Sequence, residues 1–260
     1  MQEGRMKENT VKRKLQNGEA VIGTFLKFTD PASAEILAIA GFDFFVLDNE
    51  HVAMDRDNLI SMIRAAEASG ITPLARIKEN QQVEILQNLD LGLMGVQVPN
   101  VNTVEQAQQI VKSVKYGPIG IRGFSPSVRA CGYGTNNIQE YIDKANKETM
   151  IVAQCETKEG LDNLDEILKI PEIDVVFIGP MDLSQSLGHV GDTKHPVVAG
   201  AIREIKEKVK AAGKVVGTTA ANAEAAKALI AEDCRYILLA SDQGMMMKWG
   251  KGTISEIWGK

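Results

Sequence analysis

Several features are scarce or missing in this chain of 260 residues, and each absence removes a class of protein. There are only three cysteines, Cys131, Cys155 and Cys234, far apart and forming no CxxC pair. An odd, scattered set argues against a disulfide framework and fits a reducing cytoplasm. No apolar run reaches the roughly eighteen residues that a membrane-spanning helix needs. The start, Met1 to Lys14, is charged and lacks the apolar core of a signal peptide. The expectation is a soluble, cytoplasmic protein. The formal net charge is -5, and no basic stripe with interleaved aromatics occurs, so neither nucleic acid nor a membrane is an expected partner. No GxGxxG turn follows the first apolar run, which weighs against a doubly wound dinucleotide-binding sheet.

What is present is a regular alternation in a chain that is 44% hydrophobic. Strand-like runs fall at Ala20–Leu26, Phe44–Leu47, Pro73–Ile77, Gly95–Pro99, Met150–Ala153, Val175–Ile178, Lys214–Thr218 and Tyr236–Ala240. Helical patterns separate them. Asp30-Pro31 supplies a cap and a first-position proline for one helix, which Gly41 closes, and Gly70 and Gly92 close the next two. Leu161 to Leu168 and Val197 to Ala212 also read as helices, and Gly244 to Gly259 is a last segment with a Met-rich start. Tyr116 to Asn136 breaks the rhythm with a long Gly/Pro/Ser-rich loop holding Arg122 and Arg129. Loops of this length are functional or mobile. Eight strands alternating with helices predict a (β/α)8 TIM barrel occupying residues 1–260 as a single domain.

Active sites of such barrels sit at the C-terminal strand ends. That rule selects Asp48, Glu50 and His51 after the second strand, Arg76 at the third, Glu156 after the fifth and Asp182 after the sixth. Glu156 and Asp182 lie 26 residues apart, one β-loop-α-loop-β unit, so neighbouring strand ends can present them side by side. Each alone would serve as an acid capping the following helix. Together they form a hard-oxygen pair suited to Mg2+ or Mn2+, with positions left for water and substrate. His51, beside two acids, is a candidate proton carrier. Arg76 is either a buried ion-pair partner or a donor fork for a carboxylate or developing enolate. Lys27 and Lys78 are the only lysines near strand ends, and both are expected just outside the site, which weighs against Schiff-base chemistry. His189 and His195 read as turn residues, Cys155 as buried, and Met245 to Met247 as packing or an oligomer contact. Arg122 and Arg129 read as solvated loop cations or as contacts for an anionic substrate.

Ala40-Gly41-Phe42-Asp43, Asp48-Asn49-Glu50-His51, Tyr116-Gly117-Pro118 with Gly120-Ile121-Arg122-Gly123, Gln154-Cys155-Glu156-Thr157 and Phe177-Ile178-Gly179-Pro180-Met181-Asp182-Leu183-Ser184 occur in this order. With them the chain resembles the HpcH/HpaI aldolase family from Ile22 to the eighth strand. The resemblance implies a class II, metal-dependent aldolase that reversibly cleaves a 4-hydroxy-2-oxoacid to pyruvate and an aldehyde. It implies Glu156 and Asp182 as ligands of a divalent cation, Mg2+ or Mn2+ with Co2+ also admissible, on which pyruvate and its enolate bind. It implies Arg76 on the keto oxygen, His51 in proton transfer supported by Asp48, and Asp90 reaching a neighbouring subunit's site. The substrate-binding set is Arg76, Gln154 and the stretch Gly179, Pro180, Met181 and Asp182, whose amides would hold the pyruvate carboxylate. A homo-oligomer, often a hexamer, is implied as well. Related lyases acting on 2-keto-3-deoxy sugar acids or acyl-CoA thioesters, and a barrel that binds a metabolite without turnover, are the alternatives. Asn49 stands where Gly is usual in the family and Met181 where Ala is usual, departures that bear on loop geometry and acceptor choice.

Overall fold

A computed structural model describes residues 8–259 of the chain. Eight parallel strands close on themselves in chain order. They are β1 (Val21–Leu26), β2 (Phe44–Asp48), β3 (Thr72–Arg76), β4 (Gly95–Val98), β5 (Met150–Cys155), β6 (Val175–Ile178), β7 (Val215–Ala220) and β8 (Tyr236–Ser241). The helices are α1 (Thr10–Gln16), α2 (Ala32–Ile39), α3 (Arg56–Ser69), α4 (Gln82–Asp90), α5 (Val104–Val114) and α6 (Ile138–Glu148). After β5 come α7 (Lys158–Asp162), α8 (Leu164–Ile167), α9 (Pro180–Ser186), α10 (Pro196–Ala211), α11 (Ala223–Ala231) and α12 (Asp242–Trp258). The (β/α)8 barrel expected from the alternation is the observed fold. No helix among the described residues is long and apolar enough to cross a membrane.

Local chemistry sets the element ends. Asp55, Thr103, Asn137, Thr157, Asn222 and Ser241 each accept a backbone N–H in the first turn of the helix they precede. Thr103 and Gln106 complete a reciprocal capping box. Three elements differ from the sequence expectation. The charged start lies partly outside the described residues, as residues 1–7, but Thr10–Gln16 is helical. In α1, Val11 and Leu15 are buried among the residues filling the barrel, so α1 plugs its N-terminal end. The single helix expected over Leu161–Leu168 is instead α7 and α8, divided at Asn163, whose side-chain amide donates to the Asn102 carbonyl. The Met-rich segment is one continuous helix, α12, with no buried residue.

Two layers of core follow from strand alternation. Outward residues such as Leu26, Leu47, Ile151 and Val176 pack with the helices, while Phe25, Phe44, Leu74, Val152, Phe177 and Tyr236 fill the barrel. Inside, rings are matched by glycines. The Phe44 and Tyr236 rings lie 4.6 Å apart, and a Cβ on Gly23 would meet Phe44 ring atoms at 2.5 Å. A ring in a closed barrel cannot withdraw without displacing the next one. Gly23→Ala is therefore expected to destabilise the fold by about 1–3 kcal/mol, the usual cost of overpacking, as a fall in the urea midpoint without change in slope.

Candidate active site

Parallel register brings the strand-end polar residues together. Asp48, the last residue of β2, pairs with Arg76, the last of β3, and Arg76 pairs with Gln97 of β4. Asp48 is fully buried and accepts from Arg76 twice, Nε to Oδ1 at 3.1 Å and Nη2 to Oδ2 at 2.9 Å. The third Arg76 nitrogen, Nη1, lies 3.0 Å from Glu50 Oε2. Below the fork, the Phe25 ring centroid is 4.4 Å from the guanidinium carbon. The guanidinium is thus held on two edges and one face. Burial would raise the Asp48 pKa, yet the Arg76 hydrogen bonds and charge hold it below the ordinary carboxylate range. Glu50 is shifted the other way, upward, by its burial, with Asp48 and Asp182 adding like charge and Arg76 opposing.

His51 follows at the mouth. Its backbone N–H donates to Asp48 Oδ1 at 3.2 Å, while its Nε2 lies 3.8 Å from Glu50 Oε2. The acid facing the imidazole is therefore Glu50, and Asp48 holds the loop beneath it. Asn49 turns away from the mouth. It is buried, its N–H donates to the Arg76 carbonyl, and its Nδ2 donates to Asn88 Oδ1 on α4 at 3.2 Å. Its Oδ1 has no partner among the described residues.

Across the barrel, Glu156 follows β5 and is 2% exposed. Its Oε1 accepts from the Asn100 N–H at 2.8 Å and its Oε2 from Gln154 Nε2 at 2.7 Å. Gln154 Oε1 in turn accepts from Gln97 Nε2 at 2.6 Å, and Gln97 Oε1 from the Tyr236 hydroxyl at 3.1 Å. Both hydrogen-bonding ends of the Gln154 side chain are engaged here, so it orients Glu156. Gly179 leaves the room the carboxylate occupies, since a Cβ there would overlap Glu156 Oε2. Asp182 lies in the first turn of α9, after Pro180 at the first helical position. It is exposed, as is its neighbour Met181. Burial pushes the Glu156 carboxyl up to about 7, with the Asp182 and Glu50 charges adding to the rise against the Asn100 and Gln154 hydrogen bonds.

These carboxylates are the donor set that a divalent cation satisfies. A buried acid, oriented by two N–H donors and crowded by like charge, is relieved by a hard cation. Among the described residues no three His, Cys, Asp or Glu side chains group closely enough to hold a metal. A pair of carboxylates leaves the remaining positions to water and substrate.

Other expectations fare differently. Lys27, expected outside the site, brings its Nζ to 3.4 Å from Asp48 Oδ2. Asp90 ends α4 close to the start of β4, so within its own chain it stands at the barrel's other end, accepting from Arg122 Nη2 at 2.7 Å. Arg122 and Arg129 are neither solvated nor at the mouth. Both are buried, and Arg129 donates through both Nη atoms to Glu67. They fasten the long loop to the N-terminal end of the barrel. His189 and His195 do form a turn, their rings stacked at 3.4 Å, with His195 Nδ1 capping α10. Cys155 is buried, and its thiol is pushed up to about 12 by that burial. Sequence reasoning missed Gln97 and Asn100. Gln97 could have been flagged as the one polar side chain inside the apolar run of β4, but Asn100 acts through its backbone and leaves no side-chain signal.

The pKa shift of Glu156 has a measurable consequence. Its carboxyl is near 7 in the fold against an ordinary 4.5, so the folded protein binds that proton more tightly than the unfolded chain. Metal-free stability must then fall as pH rises from about 4.5 to about 7 and stay low above. Glu156→Gln removes the titration, although an amide cannot accept from both Asn100 and Gln154. The chelator-treated variant is expected to exceed wild type by roughly 1–2 kcal/mol at pH 8, a gap that shrinks at pH 5. Urea unfolding at the two pH values measures it, and a flat wild-type profile would contradict the assignment.

Comparison with known proteins places the chain in a family. The family model of HpcH/HpaI aldolase/citrate lyase matches residues 21–248. The hydroxypyruvate/pyruvate aldolase of Pseudomonas aeruginosa is 35% identical over 240 residues, covering 92% of this chain and 89% of that one. The 5-keto-4-deoxy-D-glucarate aldolase of Shigella dysenteriae serotype 1 is 37% identical over 237 residues, covering 91% and 92%. The crystal structure of an HpcH/HpaI aldolase/citrate lyase family protein from Burkholderia cenocepacia superposes with a TM-score of 0.91 at 29% identity, covering 96% of this chain and 99% of that one. With strand-end acids, a braced arginine and matches that run nearly end to end, the chain belongs to the HpcH/HpaI aldolase/citrate lyase family and is a carbon–carbon lyase.

Proposed function

We propose that the protein reversibly cleaves a 4-hydroxy-2-oxoacid to pyruvate and an aldehyde with the help of a divalent cation, Mg2+ or Mn2+. The observation that carries this reading is the buried Glu156 carboxylate, aimed by two donors and raised by its burial with the Asp182 and Glu50 charges adding, across the barrel from an arginine fixed on both edges. Glu156 and Asp182 would hold the cation, which supplies Lewis-acid stabilisation of negative charge on the oxoacid. The chain's own groups do the rest. Arg76 cannot rotate, because Asp48, Glu50 and Phe25 hold it, so its charge is pre-organised for an enolate oxygen. His51 takes and returns a proton at its imidazole Nε2, with Glu50 facing that atom. The backbone N–H groups of Gly179, Met181 and Asp182, at the start of α9, would receive the substrate carboxylate, Pro180 having none to offer.

The decisive test needs no knowledge of the aldehyde. Methyl-proton exchange of pyruvate in D2O, followed by NMR, is expected with Mg2+ or Mn2+ and not after chelation. Glu156→Ala and His51→Ala should each slow it by about a hundredfold or more. No exchange with any divalent cation would sink the aldolase reading and leave a barrel that binds a metabolite without turnover.

We also propose a homo-oligomer. Met246, Met247, Trp249, Ile254, Ile257 and Trp258 of α12 are each more than half exposed, and Phe28 lies beside them. A surface this apolar is typical of one covered by another chain. Asp90, at the wrong end of its own barrel, would then act from a neighbouring subunit. Sedimentation of wild type should give an oligomer and Trp249→Glu/Trp258→Glu a smaller species; a monomeric wild type would refute the assembly.

A further inference from the structure

Lys27 has no task in the chemistry set out above, yet it stands in the site. Phe25 and Lys27 are two residues apart at the end of β1 and so share the inward face. Phe25 supports the Arg76 guanidinium at 4.4 Å, and Lys27 reaches Asp48 at 3.4 Å. The base of its side chain is fixed. The amides of Lys27 and Phe28 both donate to Asp242 Oδ2, at 2.9 and 2.7 Å, where α12 begins. The ammonium itself is only lightly committed. Asp48 already accepts from Arg76 on both oxygens and from the His51 N–H on one. Lys27 adds a loose ion pair to an acid that is satisfied without it, and its side chain is 25% exposed to the mouth. Arg76, by contrast, spends all three nitrogens on Asp48 and Glu50.

Position gives the lysine a direction. The barrel closes in the order β1 to β8, so β1 stands opposite β5, four strands away on either side. A substrate whose oxoacid end lies at Glu156 and Asp182 must extend its other end away from β5 and β6, toward the wall that carries Lys27. Most of the side chains around that mouth are acidic: Asp48, Glu50, Glu156 and Asp182. With Arg76 braced by Asp48 and Glu50, this ammonium is the counter-charge offered on the β1 side of the mouth.

We propose that Lys27 is a specificity-determining residue whose ammonium receives a carboxylate at the far end of the aldehyde acceptor, so that the preferred substrate is a dicarboxylate. This rests on the aldolase reading. Three ammonium N–H groups on a flexible stem allow a second carboxylate to bind while contact with Asp48 is kept.

The test is the ratio of kcat/KM for condensing pyruvate with succinic semialdehyde to that with butanal, its uncharged counterpart, in the presence of Mn2+. Wild type should favour the charged aldehyde. Lys27→Met should lower the ratio by about tenfold or more, mainly through KM, as loss of one charge-assisted contact does. Lys27→Arg should restore much of it, and Lys27→Glu should fall below Lys27→Met. A wild type without preference, or a ratio unchanged in Lys27→Met, overturns the proposal. So does an equal fall for both aldehydes, which would make Lys27 a support for Asp48 and Arg76. Failure of the aldolase reading is separately visible, as a wild type that neither exchanges pyruvate protons nor condenses either aldehyde.

Discussion

The site depends on a one-way hydrogen-bond ladder inside the barrel. Tyr236 is completely buried, and that burial raises its phenol well above the ordinary range. It donates to Gln97 Oε1, which turns the Gln97 amide nitrogen toward Gln154, whose own nitrogen then points at Glu156. Each amide has one accepting and one donating end, so fixing one rung fixes them all. Reversed, the ladder would set the Gln154 carbonyl against the Glu156 carboxylate, two acceptors face to face in a dry interior. The direction is set at the Glu156 end, because an ionised carboxylate only accepts, and the Tyr236 hydroxyl, able to donate or accept, completes the chain as a donor. The same rungs replace water for three polar side chains that would otherwise be costly to bury.

A second constraint is register. Asp48 and Arg76 are the final residues of adjacent strands and sit directly beside each other in the sheet. A slip of one residue would turn Arg76 outward among the helices and away from Asp48. Matching of rings to glycines, Gly23 to Phe44 and Gly217 to Tyr236, resists such a slip. Packing at the bottom and middle of the barrel therefore sets the geometry of charge at its top.

Much of this was legible in the chain. The strands announce themselves as apolar runs because burial on both faces leaves no polar residue to blur them. The site residues are legible because a polar group at the end of such a run has only one place to go. What could not be read depended on distance in space. Lys27 looks like any residue after a strand until Asp242, more than two hundred positions later, is seen to hold its backbone. Arg122 and Arg129 carry the composition of a substrate-binding loop. Their partners, Asp90 and Glu67, are single acids on helices α4 and α3 with nothing around them to mark the pairing. The break between α7 and α8 turns on one Asn163 bond to a carbonyl sixty-one residues away, which no local propensity encodes.

The two ends of the barrel treat charge in opposite ways, and the difference locates the chemistry. At the N-terminal end two buried arginines each have their own acid, Arg122 with Asp90 and Arg129 with Glu67, and the buried Lys115 ammonium donates to the Asn146 and Thr149 carbonyls. Arg122 also stacks on Tyr116 at 4.5 Å. Such pairs offset the desolvation of both members and leave nothing over, so they fasten a loop and do no more. At the C-terminal end four carboxylates, Asp48, Glu50, Glu156 and Asp182, face one arginine and one partly exposed lysine. Arg76 is braced by Asp48 and Glu50, which leaves Glu156 and Asp182 without a basic partner among the described residues. A fold that pairs its buried arginines with acids at one end but leaves two acids without a cation at the other has stored an electrostatic demand there. A divalent cation on those acids, as proposed above, would meet it, and the far end of an anionic substrate would then find its counter-charge in Lys27.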